Sequence, residues 1–230
     1  MTMKTKLIIL TILFLFIPAI TLAHQPRLVT EPALTEIFNP EISQAFYGQL
    51  QGEAQYFKIQ APNPFVLYVG ILVPQEENIG QDLIVDIYLN DEKIIILDGT
   101  DSTWQEFYEE FAGDYYFKGP EVRSDAQPGT YLISVSSLDN LGKYVLVVGE
   151  KESFPPKEII QTIKILPQLK KDFFNKPAWT AFYNRIGLFL AIPVIALILV
   201  VILLVFVKRS LNTFFYFLKK LLKAIKKIFD

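Results

Sequence analysis

Cysteine is missing from all 230 residues, which excludes a disulfide framework and any zinc site built of thiolates and leaves stability to burial alone. Histidine occurs once, at His24, so a Ser-His-Asp arrangement has no base to draw on within the body of the chain. There is no Asn-x-Ser/Thr acceptor, no phosphate-cradling glycine loop, no GxSxG elbow and no HExxH helix. The lack of both disulfides and glycosylation acceptors points to a prokaryotic cell surface. Basic residues are scarce in the middle of the chain. Residues 24–150 hold 20 Asp and Glu against 6 Lys and Arg, a surplus of negative charge that repels phosphates and excludes nucleic acid as a partner.

The ends carry what the middle lacks. Residues 1–23 place Lys4 and Lys6 before an apolar run from Leu7 to Ile20 and finish on Thr21-Leu22-Ala23, the pattern of a signal peptide cut after Ala23. Ile186 to Val207 is 22 residues without a charge, and at about 1.5 Å per residue it matches a hydrocarbon core about 30 Å thick. Trp179, Phe182 and Tyr183 come just before it, where amphipathic rings settle among headgroups. Residues 208–230 hold seven basic residues against one Asp, so the positive-inside rule sets the N-terminus outside and the C-terminus inside a cytoplasmic membrane. In that tail Lys219, Lys220, Lys223, Lys226 and Lys227 recur at helical spacing among Leu and Ile residues, the pattern of an amphipathic helix on an anionic inner leaflet.

Between these ends, QAFYGQL, AQYFKIQ, PFVLYVGILV, DLIVDIYL, KIIILD, TYLISVSS and GKYVLVVG are short β-branched and aromatic runs. They are punctuated by Gly52-Glu53, Pro62-Asn63-Pro64, Asn90-Asp91, Pro128-Gly129 and Asp139-Asn140. The pattern predicts a mainly β, jelly-roll or sandwich ectodomain over 24–150. Residues 151–185 then form a juxtamembrane helical stalk, 186–207 the transmembrane helix and 208–230 the cytoplasmic tail. In 83–89 the odd-numbered residues Leu83, Val85, Ile87 and Leu89 share one face, while Ile84, Asp86 and Tyr88 share the other. Two helices are expected besides the span and the tail. Ser102 to Phe111 spaces Trp104, Phe107, Tyr108 and Phe111 by three and four behind a Ser102/Gln105 capping box, and Lys157 to Leu166 precedes Pro167.

The stretches YGQLQGEAQYFKIQAP, LIVDIYLNDEKII and PGTYLISVSSLDNLGKYVLVVG, spread over residues 44–149, resemble the bacterial pre-peptidase C-terminal domain, a β-sandwich appended to many secreted enzymes and surface proteins. The resemblance implies the fold and an accessory or binding module without chemistry of its own.

Several clusters are candidates for more specific roles. After cleavage, His24 would join a free α-amine to an imidazole, two of the nitrogen ligands that Cu(II) favours. Asp98, Asp101, Glu109, Glu110 and Asp114 gather within 17 positions, the ligand type of a calcium site, with a solvated acidic face as the plainer reading. Acidic pairs such as Asp82 with Asp86, or Glu109 with Asp114, are what a carboxylate-dependent enzyme would need. Of the rings between 104 and 117, Trp104, Phe107 and Phe111 suit packing, and Tyr108, Tyr115 and Tyr116 suit a partner surface. Together these readings describe a non-enzymatic, membrane-anchored module that binds a surface protein or glycan. A structural or accessory subunit of a membrane complex is the alternative, followed by a metal- or carboxylate-dependent enzyme.

Overall fold

The computed structural model describes residues 24–30, 34–76, 80–110 and 112–229. The signal peptide read in residues 1–23, and Phe111, lie outside the described residues. The chain divides into two units, one ending at Ile186 and one containing Gly187 onward.

The first unit is a two-sheet sandwich. Its strands are β1 (Gln25–Leu28), β2 (Thr35–Ile37), β3 (Gln44–Gln51), β4 (Gln55–Ala61), β5 (Phe65–Pro74), β6 (Ile84–Leu89), β7 (Glu92–Asp98), β8 (Gln105–Glu109), β9 (Asp114–Ala126), β10 (Gly129–Ser136) and β11 (Leu141–Val148). They form a six-stranded sheet in the order β1-β3-β11-β5-β9-β8 and a five-stranded sheet in the order β2-β4-β10-β6-β7. All seven apolar runs are strands.

Alternation decides which side chains meet. Phe57, Ile59, Val85, Ile87, Tyr131, Ile133 and Val135 from the five-stranded sheet share one buried core with Phe46, Leu67, Val69, Ile71, Tyr144 and Leu146 from the other. The two-residue connection between β6 and β7 is Asn90-Asp91, with φ of 48° and 69°, the paired positive values that a type I′ turn demands and that these residue types tolerate. At Gly48 the reason for glycine is contact. A Cβ there would stand 2.4 Å from Cζ of Tyr144, the residue opposite in β11, whose hydroxyl donates to Oε1 of Gln55 across the core.

The segment predicted as a short helix at Ser102 to Phe111 is instead the edge strand β8, paired with β9 from Gln105↔Lys118 to Glu109↔Asp114. Contacts of Trp104 and Ser102 overrule the helical spacing. The Trp104 ring lies over Gly99 and Gly119, where a Cβ would approach it to 2.8 Å and 2.6 Å, and its Nε1 donates to Gly99 O at 2.8 Å. Ser102, expected to cap a helix, donates through Oγ to Asp98 O. Strand β9 escaped the pattern because Gly119-Pro120 reads as a turn. It lies where the β5–β9 register shifts between Gly70 and Leu72, and a bulge is where a strand can accept a residue without an N–H.

The last part of the unit is a helical segment that packs on the sandwich. Helix α1 (Pro156–Gln168) starts on Pro156, continues through Pro167 instead of stopping before it, and passes into a π-helical turn at Leu169–Phe173 and a 3₁₀ turn at Ala178–Phe182. Leu166, Leu169, Phe173, Phe174, Ala181 and Ile186 are all buried. Phe173 and Phe174 meet Tyr47 edge-on at 5.2 and 6.2 Å, so the segment packs on the part of the six-stranded sheet's outer face around β3. That cover explains why β11 ends in five consecutive buried residues, Tyr144 to Val148. Both faces of that strand are shut from water.

The second unit contributes one continuous helix, α2 (Arg185–Phe229), so no break separates residues 207 and 208. From Val194 to Phe229 the sequence contains neither glycine nor proline to interrupt it. Its first 35 residues, Arg185–Lys219, contain an 18-residue window with a mean hydropathy of 3.5 and are long and apolar enough to cross a membrane.

Candidate binding surfaces

The β8–β9 hairpin turn is where the C-terminal segment is fastened. Asp114 is 1% exposed and lies between two lysines: Lys170 Nζ donates to its Oδ2 at 2.6 Å and Lys176 Nζ to its Oδ1 at 2.9 Å. Lys170, itself 3% exposed, also donates to Ala112 O at 2.8 Å, and both ammonium groups lie about 5.5 Å from the centre of the Phe174 ring. Burial pushes the Lys170 pKa down, against the pull of Asp114. Asn184 Nδ2 donates to the same Ala112 carbonyl at 2.6 Å, and Arg185 pairs with Glu110. Lys143 adds a third tie by donating to Phe173 O and pairing with Glu76 at 3.1 Å.

This geometry reassigns most of the acidic residues. Asp98 accepts from Thr100 N and Oγ1 at 2.9 and 2.6 Å, Glu109 accepts from Ala112 N at 2.6 Å, Glu110 faces Arg185, and Asp114 is held by lysines. Among the described residues, no three of His, Cys, Asp and Glu come together as metal ligands, so Asp98, Asp101, Glu109, Glu110 and Asp114 do not converge on a calcium position. Asp82 and Asp86 are likewise engaged separately, Asp82 by Leu138 N at 3.2 Å and Asp86 by Lys93 at 2.8 Å. His24 is partly buried with Nδ1 against Ser43 Oγ. Desolvation, reinforced by the Lys118 charge, lowers its pKa to about 4. Its Nδ1 is thus already engaged, and the chain has no second histidine to complete a copper site.

The ring candidates separate cleanly. Tyr116 is a core residue, 3% exposed, with its hydroxyl 3.2 Å from that of Tyr47 and its ring edge-on to Phe174 at 5.8 Å. Burial raises both phenols well above the usual tyrosine range. Tyr108 and Tyr115 stay outside, 45% and 56% exposed, facing each other across the β8–β9 pair with centroids 4.6 Å apart. Alternation of Tyr115 and Tyr116 along β9 was the signal that only one of them can face out.

A larger surface lies on the other sheet. The outward residues of β4, β10, β6 and β7 fall in register as Tyr56, Ser134, Asp86 and Ile96 in one row and Lys58, Leu132, Tyr88 and Lys93 in the next. Ile96 is 57% exposed, Ile94 43% and Tyr56 40%. Lys93 pairs with Asp86 and sits 5.5 Å from the Tyr88 ring, while Asp86 Oδ1 is buried without a hydrogen-bond partner among the described residues. A separate cleft of about 440 Å³ opens beside β1 and β2, bounded by Arg27, Phe38, Gln44, Phe46 and Glu158. Its polar groups are turned inward: Arg27 pairs with Glu158 at 2.9 Å, and Gln44 Nε2 donates to the carbonyls of Phe38, Asn39 and Ile42.

The fold therefore defines a β-sandwich protein with one C-terminal helix apolar enough to cross a membrane. No protein-family model matches the chain, and no curated protein matches it. Among solved structures, it is similar to the pre-peptidase C-terminal domain of a collagenase from Bacillus anthracis at 14% identity, covering 55% of this chain and 95% of that one with a TM-score of 0.30. It is also similar to a Paenibacillus cycloisomaltooligosaccharide glucanotransferase at 18% identity, covering 50% of this chain and 15% of that one with a TM-score of 0.27. A β-glucosidase from Paenibacillus barengoltzii is 12% identical, covering 56% of this chain and 14% of that one with a TM-score of 0.25. These likenesses concern the fold alone.

Proposed function

We propose that the protein is a non-enzymatic, membrane-anchored surface module that binds a partner on the outer face of its five-stranded sheet. One observation carries the reading: the chain's own C-terminal segment packs on the outer face of the six-stranded sheet around Tyr47 and Tyr116, whereas on the outer face of the other sheet Tyr56 and Ile96 stay exposed and Leu132 and Tyr88 half-exposed in adjoining rows. Aliphatic residues beside two tyrosines and one ion pair suit a protein partner, and a glycan is the other class to test. The apolar part of α2 spans the cytoplasmic membrane with the sandwich outside, and the lysine-rich tail rests on the anionic inner leaflet.

A photoreactive phenylalanine analogue placed at position 56 or 96 tests the face in living cells. A discrete adduct at both positions, absent when the probe replaces the exposed Leu138, is the expected result, and an Ile96→Glu change should abolish the adduct formed at 56. A glycan partner would appear instead as retention on cell-wall polysaccharide that Tyr56→Ser removes. Identical adducts at all three positions, with no polysaccharide retention, would refute the assignment.

A further inference from the structure

The sandwich has a second exposed surface, at the β8–β9 hairpin, where amphipathic rings stand among charged side chains. Tyr108 and Tyr115 face each other there at 4.6 Å, and Trp179 and Tyr183 form a second ring pair at 5.1 Å, with Trp179 62% and Tyr183 83% exposed. Gly113 connects the hairpin to the segment that carries the second pair. This residue has φ of 75°, and a Cβ on it would lie 3.1 Å from Cβ of Asn184 and 3.5 Å from the Tyr108 hydroxyl. Asn184 follows Tyr183 directly and is tied to Ala112 O at 2.6 Å, so four rings from segments some 70 residues apart in sequence belong to one end of one unit.

The C-terminal segment brings Lys170, Lys176 and Arg185 to this end, where the hairpin carries Glu106, Glu109, Glu110 and Asp114. Of the hairpin's own acids, Glu110 is paired with Arg185 and Asp114 is buried between two lysines. Tyrosine and tryptophan rings with lysines are the side chains that favour the headgroup zone of a bilayer, and Arg185 begins the apolar helix two residues after Tyr183.

From this we infer that the β8–β9 hairpin is a membrane-contact surface: Tyr108 and Tyr115 enter the phospholipid headgroup region together with Trp179 and Tyr183, holding the sandwich against the outer leaflet. The inference rests on the spanning assignment of α2 and adds to it a contact from a strand hairpin remote in sequence.

The absence of cysteine makes the test direct, because a single cysteine introduced at 115, 108 or 56 can carry one environment-sensitive fluorophore on the full-length chain. The labelled proteins are reconstituted into phosphatidylcholine vesicles with or without a headgroup nitroxide lipid and recovered by flotation. Labels replacing Tyr115 and Tyr108 should show a blue shift, loss of emission in the nitroxide vesicles and protection from aqueous iodide. The label replacing Tyr56 should show none of these. If the chain floats and resists carbonate extraction but the labels at 115 and 108 match the one at 56, the membrane contact is refuted and the spanning assignment stands. A blue shift without nitroxide quenching would mean that protein covers the hairpin, which also overturns the proposal. Failure to float would remove both.

Discussion

Replacing Lys170 by Met examines the ion pair that fastens the C-terminal segment to the sheet. The two side chains are 3% and 1% exposed and 2.6 Å apart, so neither charge has water to fall back on. Removing one member of such a pair costs about 3–5 kcal/mol, most of it the penalty of stranding the other charge. Lys176, itself 44% exposed, still reaches Asp114 at 2.9 Å and leaves the carboxylate one charged partner, which places Lys170→Met near the lower end, about 3 kcal/mol. At about 2–4 °C per kcal/mol for a unit of this size, the melting temperature should fall by roughly 6–12 °C. Asp114→Asn instead leaves a buried ammonium facing an amide, and its cost is capped because desolvation already pushes the Lys170 proton toward release. The double variant should be less destabilised than the sum of the two, since it removes both charges together. Urea and thermal unfolding of the full-length chain in mild detergent, followed by near-ultraviolet circular dichroism, measures all three. A Lys170→Met protein within about 1 kcal/mol of the parent would refute the reasoning, because a pair worth so little behaves as a solvated surface bridge.

Three further outcomes follow from the same geometry. Gly48→Ala should cost about 1–3 kcal/mol, because the new methyl would stand 2.4 Å from the Tyr144 ring and force the tyrosine away from Gln55; an unchanged urea midpoint would contradict this. His24 has its pKa lowered to about 4, so the unfolded chain takes up a proton near pH 6.5 that the fold refuses, and stability present above pH 6.5 should decline as pH falls toward 4. The imidazole retains some solvent contact, so the decline should be about 1–3 kcal/mol. The lowered carboxyl groups Glu41, Asp98 and Glu121 add their losses only below about pH 4.5, and His24→Gln should therefore flatten the profile between 6.5 and 4.5. A peptide of residues 210–230 should bind anionic vesicles more weakly as salt rises, and changing Lys219, Lys220, Lys223, Lys226 and Lys227 to Gln should remove that dependence; equal binding to neutral vesicles would contradict the charge argument.

What the chain's sequence determined by itself are the features set within a few neighbouring residues. Alternation of large apolar side chains placed all seven runs as strands and put Val85 and Ile87 inside with Asp86 and Tyr88 outside, because side-chain direction along a strand is a local property. Asn90-Asp91 announced its turn for the same reason, and the uncharged run after Arg185 announced a long apolar helix. The tertiary structure decided everything that depends on a partner far along the chain. Ring spacing from Trp104 to Tyr108 fits a helix or an edge strand equally well, and pairing with β9 chose the strand. Tyr115 and Tyr116 are the same residue type one position apart, yet one is exposed and the other sealed under Phe174 from a segment nearly 60 residues later. Asp114 looked like one acid among five until Lys170 and Lys176 arrived beside it, since a carboxylate's role is set by which charge shares its low-dielectric surroundings, and that is decided only when distant segments pack.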